Sequence, residues 1–319
     1  MKQDILLALL AKTDEYISGE CISRRLGVTR AAVWKYIEDL REAGYIIEAI
    51  PRRGYRLTAR PDKLLPTEIR PDLNTDYLGQ TIHYFLEVDS TNDVARELAQ
   101  QGAAEGTIVI AEKQLQGRGR RGRNWVSTSG SGIYVSIILR PALLPPLAPL
   151  MTLTSAVAGA EAIRRLTALP VMIKWPNDLL IDGCKVAGIL TEISAETDTI
   201  FYVIIGAGIN VNTTSFPAQL RNKASSLALA GGQPVSRKRL LQLFLQSLEC
   251  WYQSLLTEPQ VVLERWRQLS VTMGRQVAVF SPHATIHGQA IDIDSDGALL
   301  LKTKTGEIVR VLSGDVSLR

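Results

Sequence analysis

The chain has 319 residues, 46% of them apolar and 6% aromatic, which is enough to build two or three domains. Its net charge is only +4, its longest apolar runs fall short of a bilayer span, and no charged-then-apolar leader opens it, so a membrane protein is not expected and a cytoplasmic one is. Cys21, Cys184 and Cys250 are scattered without a C-x-x-C pair, which argues against disulfides and a cysteine-bound metal. Of His83, His283 and His287, the last two are four residues apart but flank an expected strand, where that spacing makes no helical metal face, so no metal-ligand set is expected.

The first sixty residues hold eleven Lys/Arg against eight Asp/Glu, so most of the excess positive charge sits at the front. Ile5, Leu6, Leu9 and Leu10 make one helical face. Ser18 then caps a short helix ending at Gly27, and Thr29 caps a longer one over Arg30 to Glu42 with apolar positions at Val33, Ile37 and Leu40. The Leu26-Gly27-Val28 step is the tight turn of a helix-turn-helix unit. Two strand-like runs follow, Tyr45 to Ile50 and Tyr55 to Leu57, joined by the basic tip Pro51-Arg52-Arg53-Gly54. Three helices and a wing resemble the winged helix-turn-helix domain of bacterial regulators. That resemblance places the second helix of the pair in the major groove, with Thr29, Arg30 and Lys35 toward DNA and Arg52 and Arg53 on phosphate. Pro61 and Pro66 mark a boundary over residues 58 to 67.

The middle of the chain mixes strands and helices. A strand is expected over Thr81 to Val88, then a helix to Gln100 with Ser90 as N-cap and Asp93 completing a box-like pair. Its N-terminus also suits an anion. Strands are expected at Thr107 to Glu112 and Gly132 to Leu139, and a long helix from Leu147 to Thr167. Between the first two strands' ends lies Gly117-Arg118-Gly119-Arg120-Arg121-Gly122-Arg123, four arginines and three glycines in seven residues. Such a loop repels itself unless an anion gathers it, and guanidinium forks fit carboxylate or phosphate. Its formal G-x-G-x-x-G is not a dinucleotide fingerprint, because no helix follows; Asn124 to Gly130 reads as strand and turn. Further on, Asp182-Gly183 between apolar runs predicts a hairpin with Lys185 early on the returning strand. Another strand, Thr199 to Ile205, leads into Gly206-Ala207-Gly208-Ile209-Asn210; helices are expected at Ser236 to Leu256 and Val261 to Leu269. From Gly274, four short β runs with turns at Ser281-Pro282, Asp296-Gly297 and Thr305-Gly306 suggest a small barrel.

Taken together, Ser90-Thr91-Asn92, the glycine-arginine loop through Trp125, Lys174-Trp175-Pro176-Asn177-Asp178, Lys185 and Gly206 to Asn210 resemble the biotin protein ligases. With the winged unit in front, the whole chain resembles the bifunctional members that double as biotin operon repressors. The resemblance implies an α+β fold in three parts: a winged helix-turn-helix over 1–62, a central mixed sheet with helices of the class II aminoacyl-tRNA synthetase-like ligase type over 63–269, and a small Src-homology-3-type β-barrel over 270–319. It also implies ATP and biotin as substrates with magnesium, biotinyl-5′-AMP as intermediate, and a biotin carboxyl carrier protein as acceptor. Operator DNA would be a partner, with a homodimer when adenylate is bound.

By that resemblance Ser90, Thr91, Asn92, Gln114, Gly117, Arg118, Gly119, Arg120, Lys185 and Gly188 surround biotin. Arg118, Arg120, Arg123, Trp125, Lys174, Asn177 and Asn210 face the nucleotide, and Lys185 and Arg120 carry the chemistry. Asp178 either helps hold magnesium or activates the acceptor amine, and Trp175 serves either the core or the ligand. Two other readings stand beside this one. A regulator that only senses biotin need not keep every phosphate-facing group, and a lipoyl ligase would lack the arginine loop and the winged unit.

Overall fold

A computed structural model describes residues 2–12, 15–42, 44–60, 62–280 and 285–318. Pro61, His283 and the Ser281-Pro282 turn lie outside the described residues. The chain divides into two compact units, Met1–Glu68 and Ile69–Arg319.

The first unit follows its sequence signals closely. Helix α1 (Lys2–Leu10) is followed by α2 (Gly19–Leu26), which Ser18 caps by accepting from the Cys21 amide, and Gly27 ends it in the left-handed conformation with φ 65°. In α3 (Arg30–Glu42), Thr29 Oγ1 accepts from the Ala32 amide at 3.2 Å. Strands β1 (Ile46–Ile50) and β2 (Gly54–Ala59) form the wing. Ile5, Leu6, Leu9, Ile22, Val33, Ile37 and Leu40 bury one continuous core beneath it. Gly54 is obligatory: its φ is 111°, and a Cβ there would sit 2.1 Å from the Ile17 carbonyl oxygen. Ile17 and Tyr55 exchange both backbone hydrogen bonds, so the chain entering α2 adds a bridge to the wing.

The one-turn helix α4 (Pro66–Ile69) leads into the second unit. Next come β3 (Ile82–Val88), α5 (Thr91–Gln100), β4 (Ile108–Gln114), β5 (Gly132–Leu139) and α6 (Pro149–Thr167). β6 (Met172–Lys174), β7 (Asp178–Ile181), β8 (Cys184–Ala195) and β9 (Ile200–Asn210) follow, then α7 (Leu227–Gly231), α8 (Arg237–Thr257) and α9 (Pro259–Leu269). The seven strands run β3-β4-β5-β9-β8-β7-β6, with β3 and β4 parallel and every other neighbouring pair antiparallel. Helix α5 lays Ala95 and Ala99 on Val109, Ile138, Tyr202 and Ile204. Alternation sends the equally buried Ile108 and Ile110 to the other face, so both faces of the sheet are covered. The chain closes with β10 (Gln276–Phe280), β11 (Thr285–Ile293), β12 (Leu299–Lys302), β13 (Ile308–Val311) and β14 (Asp315–Leu318), an all-antiparallel sheet ordered β13-β12-β11-β10-β14.

Several expectations are corrected. Ser90 precedes α5 as its N-cap residue but makes no side-chain capping bond, and Asp93 turns instead to Arg96 and Arg118. Two guanidiniums outbid a backbone amide for that carboxylate. Asn124 to Gly130 is loop apart from one bridge between Arg118 and Asn124. Gly206 to Asn210 continues β9 rather than ending it, and the terminal sheet has five strands, not four. Pro145–Thr167 reaches 23 residues at a mean hydropathy of 1.2, long and apolar enough to cross a bilayer. Its window is 72% buried within the fold, because α6 is wedged among α8, α9 and strands β6 to β9. Of the two readings left open for Trp175, the core one holds: it is 1% exposed, its amide donates to Thr272 Oγ1 at 2.9 Å, and its Nε1 donates to the Gly297 carbonyl at 3.2 Å.

Candidate active site

A cleft of about 670 Å³ opens between one end of the mixed sheet, the arginine loop and β14. Its floor includes three glycines on two neighbouring strands, Gly188, Gly206 and Gly208. Gly188 on β8 is paired across to Gly208 on β9, and a Cβ on Gly208 would lie 2.5 Å from Trp125 Cε2. Trp125 therefore lies flat over these strands only because they carry glycine. Gly206 is under the same demand from Asn92, whose Oδ1 would be 2.2 Å from an added Cβ. The glycine pattern of this motif is thus a demand for close approach, made by side chains elsewhere in the chain.

One end of the cleft is neutral and hydrogen-bonding. The start of α5 buries Thr91 and Asn92. Gln114 Oε1 accepts from both the amide (2.8 Å) and the hydroxyl (2.9 Å) of Thr91. Ser136, reaching up from β5, donates to Thr91 Oγ1 at 2.8 Å or to Asn92 Oδ1 at 2.6 Å. Asn92 in turn donates to Glu192. This shell orients each donor and acceptor before any ligand arrives, which suits a small neutral polar ring.

The other end is cationic. On β7, Asp178 is gripped by Lys185 Nζ at 2.5 Å and Lys174 Nζ at 3.3 Å. Burial works against its ionisation, yet Lys185 and then Lys174 overcome that and hold its pKa below the ordinary 3.8. The stability that this ionisation contributes is therefore complete above pH 3.8 and lost as acid takes the pH lower. Lys185 also sits 5.4 Å over the Trp125 ring. Trp125 Nε1 is buried without a hydrogen-bond partner among the described residues. The hairpin at Asp182-Gly183, both residues with positive φ, delivers Lys185 to this place as expected.

The arginine loop is a short hairpin whose turn puts Arg121 and Gly122 at φ 57° and 74°. Its arginines meet protein acceptors. Arg118 contacts Asp93 at 2.7 Å and Glu192 at 3.2 Å. Arg120 donates to Asn177 Oδ1 and to the Gly314 carbonyl, and burial lowers its pKa against the pull of Asp315 and Asp178. Arg121 donates to the Phe280 carbonyl, and Arg123 pairs with Asp315 at 2.5 Å. Asn210 donates to the Ser225 carbonyl and so holds the loop after β9 against the cleft.

Ser90, Thr91, Asn92, Gln114, Arg118, Gly119, Arg120, Arg123, Trp125, Lys174, Asn177, Lys185, Gly188 and Asn210 all line this one cleft. Gly117 does not. It stands at the base of the loop, where its carbonyl accepts from the Trp125 amide and a Cβ would meet the Trp125 carbonyl oxygen at 2.6 Å. Thr29, Arg30, Lys35, Arg52 and Arg53 are exposed in the first unit; Arg53 stacks 5.1 Å from the centre of the Tyr16 ring. Sequence reasoning missed Glu192, Asp93 and Asp315 as partners of the loop. Only Asp315 had a visible signal, in the Ser313-Gly314-Asp315 turn.

A mixed sheet whose glycine-floored cleft joins a neutral polar pocket to converging lysines and arginines offers the groups that an anionic substrate needs, in a chain that begins with a winged helix-turn-helix. Comparison with known proteins agrees. Residues 84–210 match the biotin/lipoate A/B protein ligase family, 2–56 an HTH domain and 272–319 the biotin protein ligase C-terminal domain. The bifunctional ligase/repressor BirA of Bacillus subtilis is 41% identical, aligned over all of this chain and 98% of its own length. Its Escherichia coli counterpart is 33% identical over 98% and 96%. The structure of biotin protein ligase from Aquifex aeolicus in complex with biotin and ATP superimposes with a TM-score of 0.66 at 29% identity, covering 75% of this chain and 99% of that one. The chain belongs to the bifunctional biotin ligase/repressor family.

Proposed function

We propose that this protein activates biotin with ATP and passes it to one lysine of the biotin carboxyl carrier protein of acetyl-CoA carboxylase, and that it represses biotin synthesis genes with biotinyl-5′-AMP as corepressor. The observation carrying this reading is the junction within one cleft of a pre-oriented neutral pocket and the cations Lys174, Lys185, Arg118, Arg120 and Arg123. In the first step a biotin carboxylate oxygen attacks the α-phosphorus and the bond to the β-phosphate breaks, releasing pyrophosphate. Two anions must be brought together, so charge neutralisation and positioning do the work. Ser90, Thr91, Asn92 and Gln114 hold the ureido ring, whose donors and acceptors need partners when buried. Lys185, Arg118 and Arg120 receive the carboxylate and α-phosphate; Lys174, Arg123 and Asn177 take the remaining phosphates; Trp125 and Asn210 face the adenylate. In the second step the carrier lysine attacks the acyl carbon and AMP leaves.

Magnesium would arrive with the ATP phosphates. Among the described residues no three His, Cys, Asp or Glu side chains cluster as a metal site. Asp178 is the carboxylate placed to add one ligand, and its two lysines already set its charge.

The regulatory, catalytic and C-terminal parts divide at about residues 62 and 269 in this reading, in a cytoplasmic protein. The deciding experiment supplies ATP, apo carrier domain and either biotin or lipoate, and weighs the carrier. A mass gain of one biotinyl group with biotin alone is the expected result. A gain with lipoate instead selects the lipoyl ligase, and no gain with either leaves a ligand-sensing regulator.

One winged helix covers only a half-site, so operator binding calls for a symmetric dimer. The adenylate's differential affinity for dimer over monomer sets how far assembly shifts. Sedimentation is expected to show mostly monomer for the apo protein at micromolar concentration and dimer after biotin and ATP are added. Identical association in both states would remove the corepressor mechanism and leave the ligase standing.

A further inference from the structure

The core face of α3 is complete without Trp34. Val33, Ile37 and Leu40 are buried, whereas Trp34 is 58% exposed. Beside it Arg30, Ala31 and Lys35 are exposed as well, and one turn further on Glu38 is taken by Arg41 at 2.7 Å. Trp34 is thus the large apolar side chain on the front half of the helix assigned to the major groove, flanked by the two cations assigned to DNA. Between Arg30 and Glu42 this helix contains no Asn, Gln, Ser or Thr. The neutral side chains that recognise base edges by paired hydrogen bonds are therefore missing from it. Arginine and lysine can meet guanine, but they can equally hold phosphate, which positions without specifying. An indole offers a broad apolar face and one N–H donor. In the major groove the apolar feature that distinguishes one base from the others is the 5-methyl group of thymine.

We propose that Trp34 is a specificity-determining residue of the winged unit: its indole packs on the 5-methyl group of a thymine in the major groove, while Arg30 and Lys35 anchor the helix to flanking phosphates. This rests on the DNA-binding reading of the unit and adds to it the chemistry by which sequence is read. The position is held firmly, because Thr29 caps the helix immediately before Arg30 and Gly27 sets the turn between the two helices. Ala31, on the same exposed stretch, has no bulk to keep a base edge away.

The test uses the full chain with biotin and ATP, selecting from random duplexes and then measuring affinity for the enriched sequence. The wild type is expected to enrich a motif that contains thymine. Trp34→Ala is expected to bind random duplex as before, with the same salt dependence, but to lose about tenfold on the motif, a loss typical of one base contact. Replacing the critical thymine by uracil removes only the methyl group. It should weaken the wild type about fourfold, the worth of one buried methyl, and leave Trp34→Ala unchanged. Trp34→Phe should recover part of the loss. Trp34 packs outside the core, so an unchanged thermal midpoint is expected and serves as the folding control.

A Trp34→Ala variant that enriches the same motif with the same discrimination overturns the proposal, as does a uracil effect equal in wild type and variant. A loss of dimer rather than of base preference assigns Trp34 to a protein contact and overturns it too. If the wild type enriches no sequence at all, the DNA-binding reading fails along with it, an outcome distinct from the others.

Discussion

Lys185→Ala is expected to lower adenylate formation at least a hundredfold while weakening biotin binding far less. Lys185 stands on β8 just past a turn whose two positive-φ residues leave its position little freedom, and its Nζ is 2.5 Å from Asp178 and 5.4 Å above Trp125. In the proposed reaction Lys185 would meet the α-phosphate, whose equatorial oxygens gain negative charge as the biotin carboxylate attacks. A contact that strengthens only in the transition state lowers kcat when lost, and donors of this kind are typically worth about 3–4 kcal/mol. The variant also strips Asp178 of its nearest cation, leaving a mostly buried carboxylate with Lys174 alone. Lys185→Arg is the companion variant: it keeps the charge for Asp178 but moves the donors, and should recover biotin binding more than rate. Pyrophosphate release against calorimetric biotin binding separates the two effects. A release rate within about threefold of wild type, under the ~1.4 kcal/mol of a tenfold change, would remove Lys185 from the chemistry.

The second large effect falls on stability, away from the cleft. Arg237, the first residue of α8, is completely buried, and its guanidinium reaches Glu112 on β4 at 2.8 Å and the Gly132 carbonyl on β5 at 3.1 Å. Glu112 is almost equally buried and also accepts from Tyr84 on β3 at 3.3 Å. One ion pair therefore ties a long helix to three neighbouring strands. Arg237→Ala would take the guanidinium away from the buried Glu112 carboxylate, and removing one partner of a buried ion pair typically costs about 3–5 kcal/mol. In a unit of this size that lowers the thermal midpoint by roughly 6–20 °C. Removing both charges together, as Arg237→Met with Glu112→Leu, should cost less than Arg237→Ala alone, because no uncompensated charge then stays buried. A single variant that melts within about two degrees of wild type would show that Glu112 finds other compensation.

The contrast between these two residues shows what was legible in the chain. Lys185 could be found because Asp-Gly between apolar runs specifies a hairpin locally, and a residue next to such a turn is placed by the turn. The winged unit was legible for the same reason: Ser18, Gly27 and Thr29 act on backbone groups three or four residues away, and the apolar positions of α3 repeat along one face. Arg237 gave no such signal. It falls inside the helix expected at Ser236 to Leu256, and nothing nearby in sequence says that a glutamate 125 positions earlier will meet it.

The amino-acid sequence by itself determined the helices, turns and strands whose causes are local, and the density of arginine and glycine in one loop that points to an anion; the Lys-Trp-Pro-Asn-Asp run spoke only through the family resemblance. Those are matters of periodicity, capping and charge, which act over a few residues. The tertiary structure decided which carboxylates face the loop. Asp93 and Glu192 go to Arg118, Asp315 goes to Arg123, and Asp178 is held between two lysines. It also decided that Trp175 is core while Trp125 lies in the cleft, that Gly208 has no room for a Cβ because the Trp125 indole lies on it, and that Gly188 is hemmed in first by the Lys185 side chain and then by that indole. A charge pair or a close approach depends on distance in space, and the fold brings together residues as far apart in the chain as Arg118 and Glu192, 74 positions, or Arg123 and Asp315, 192 positions.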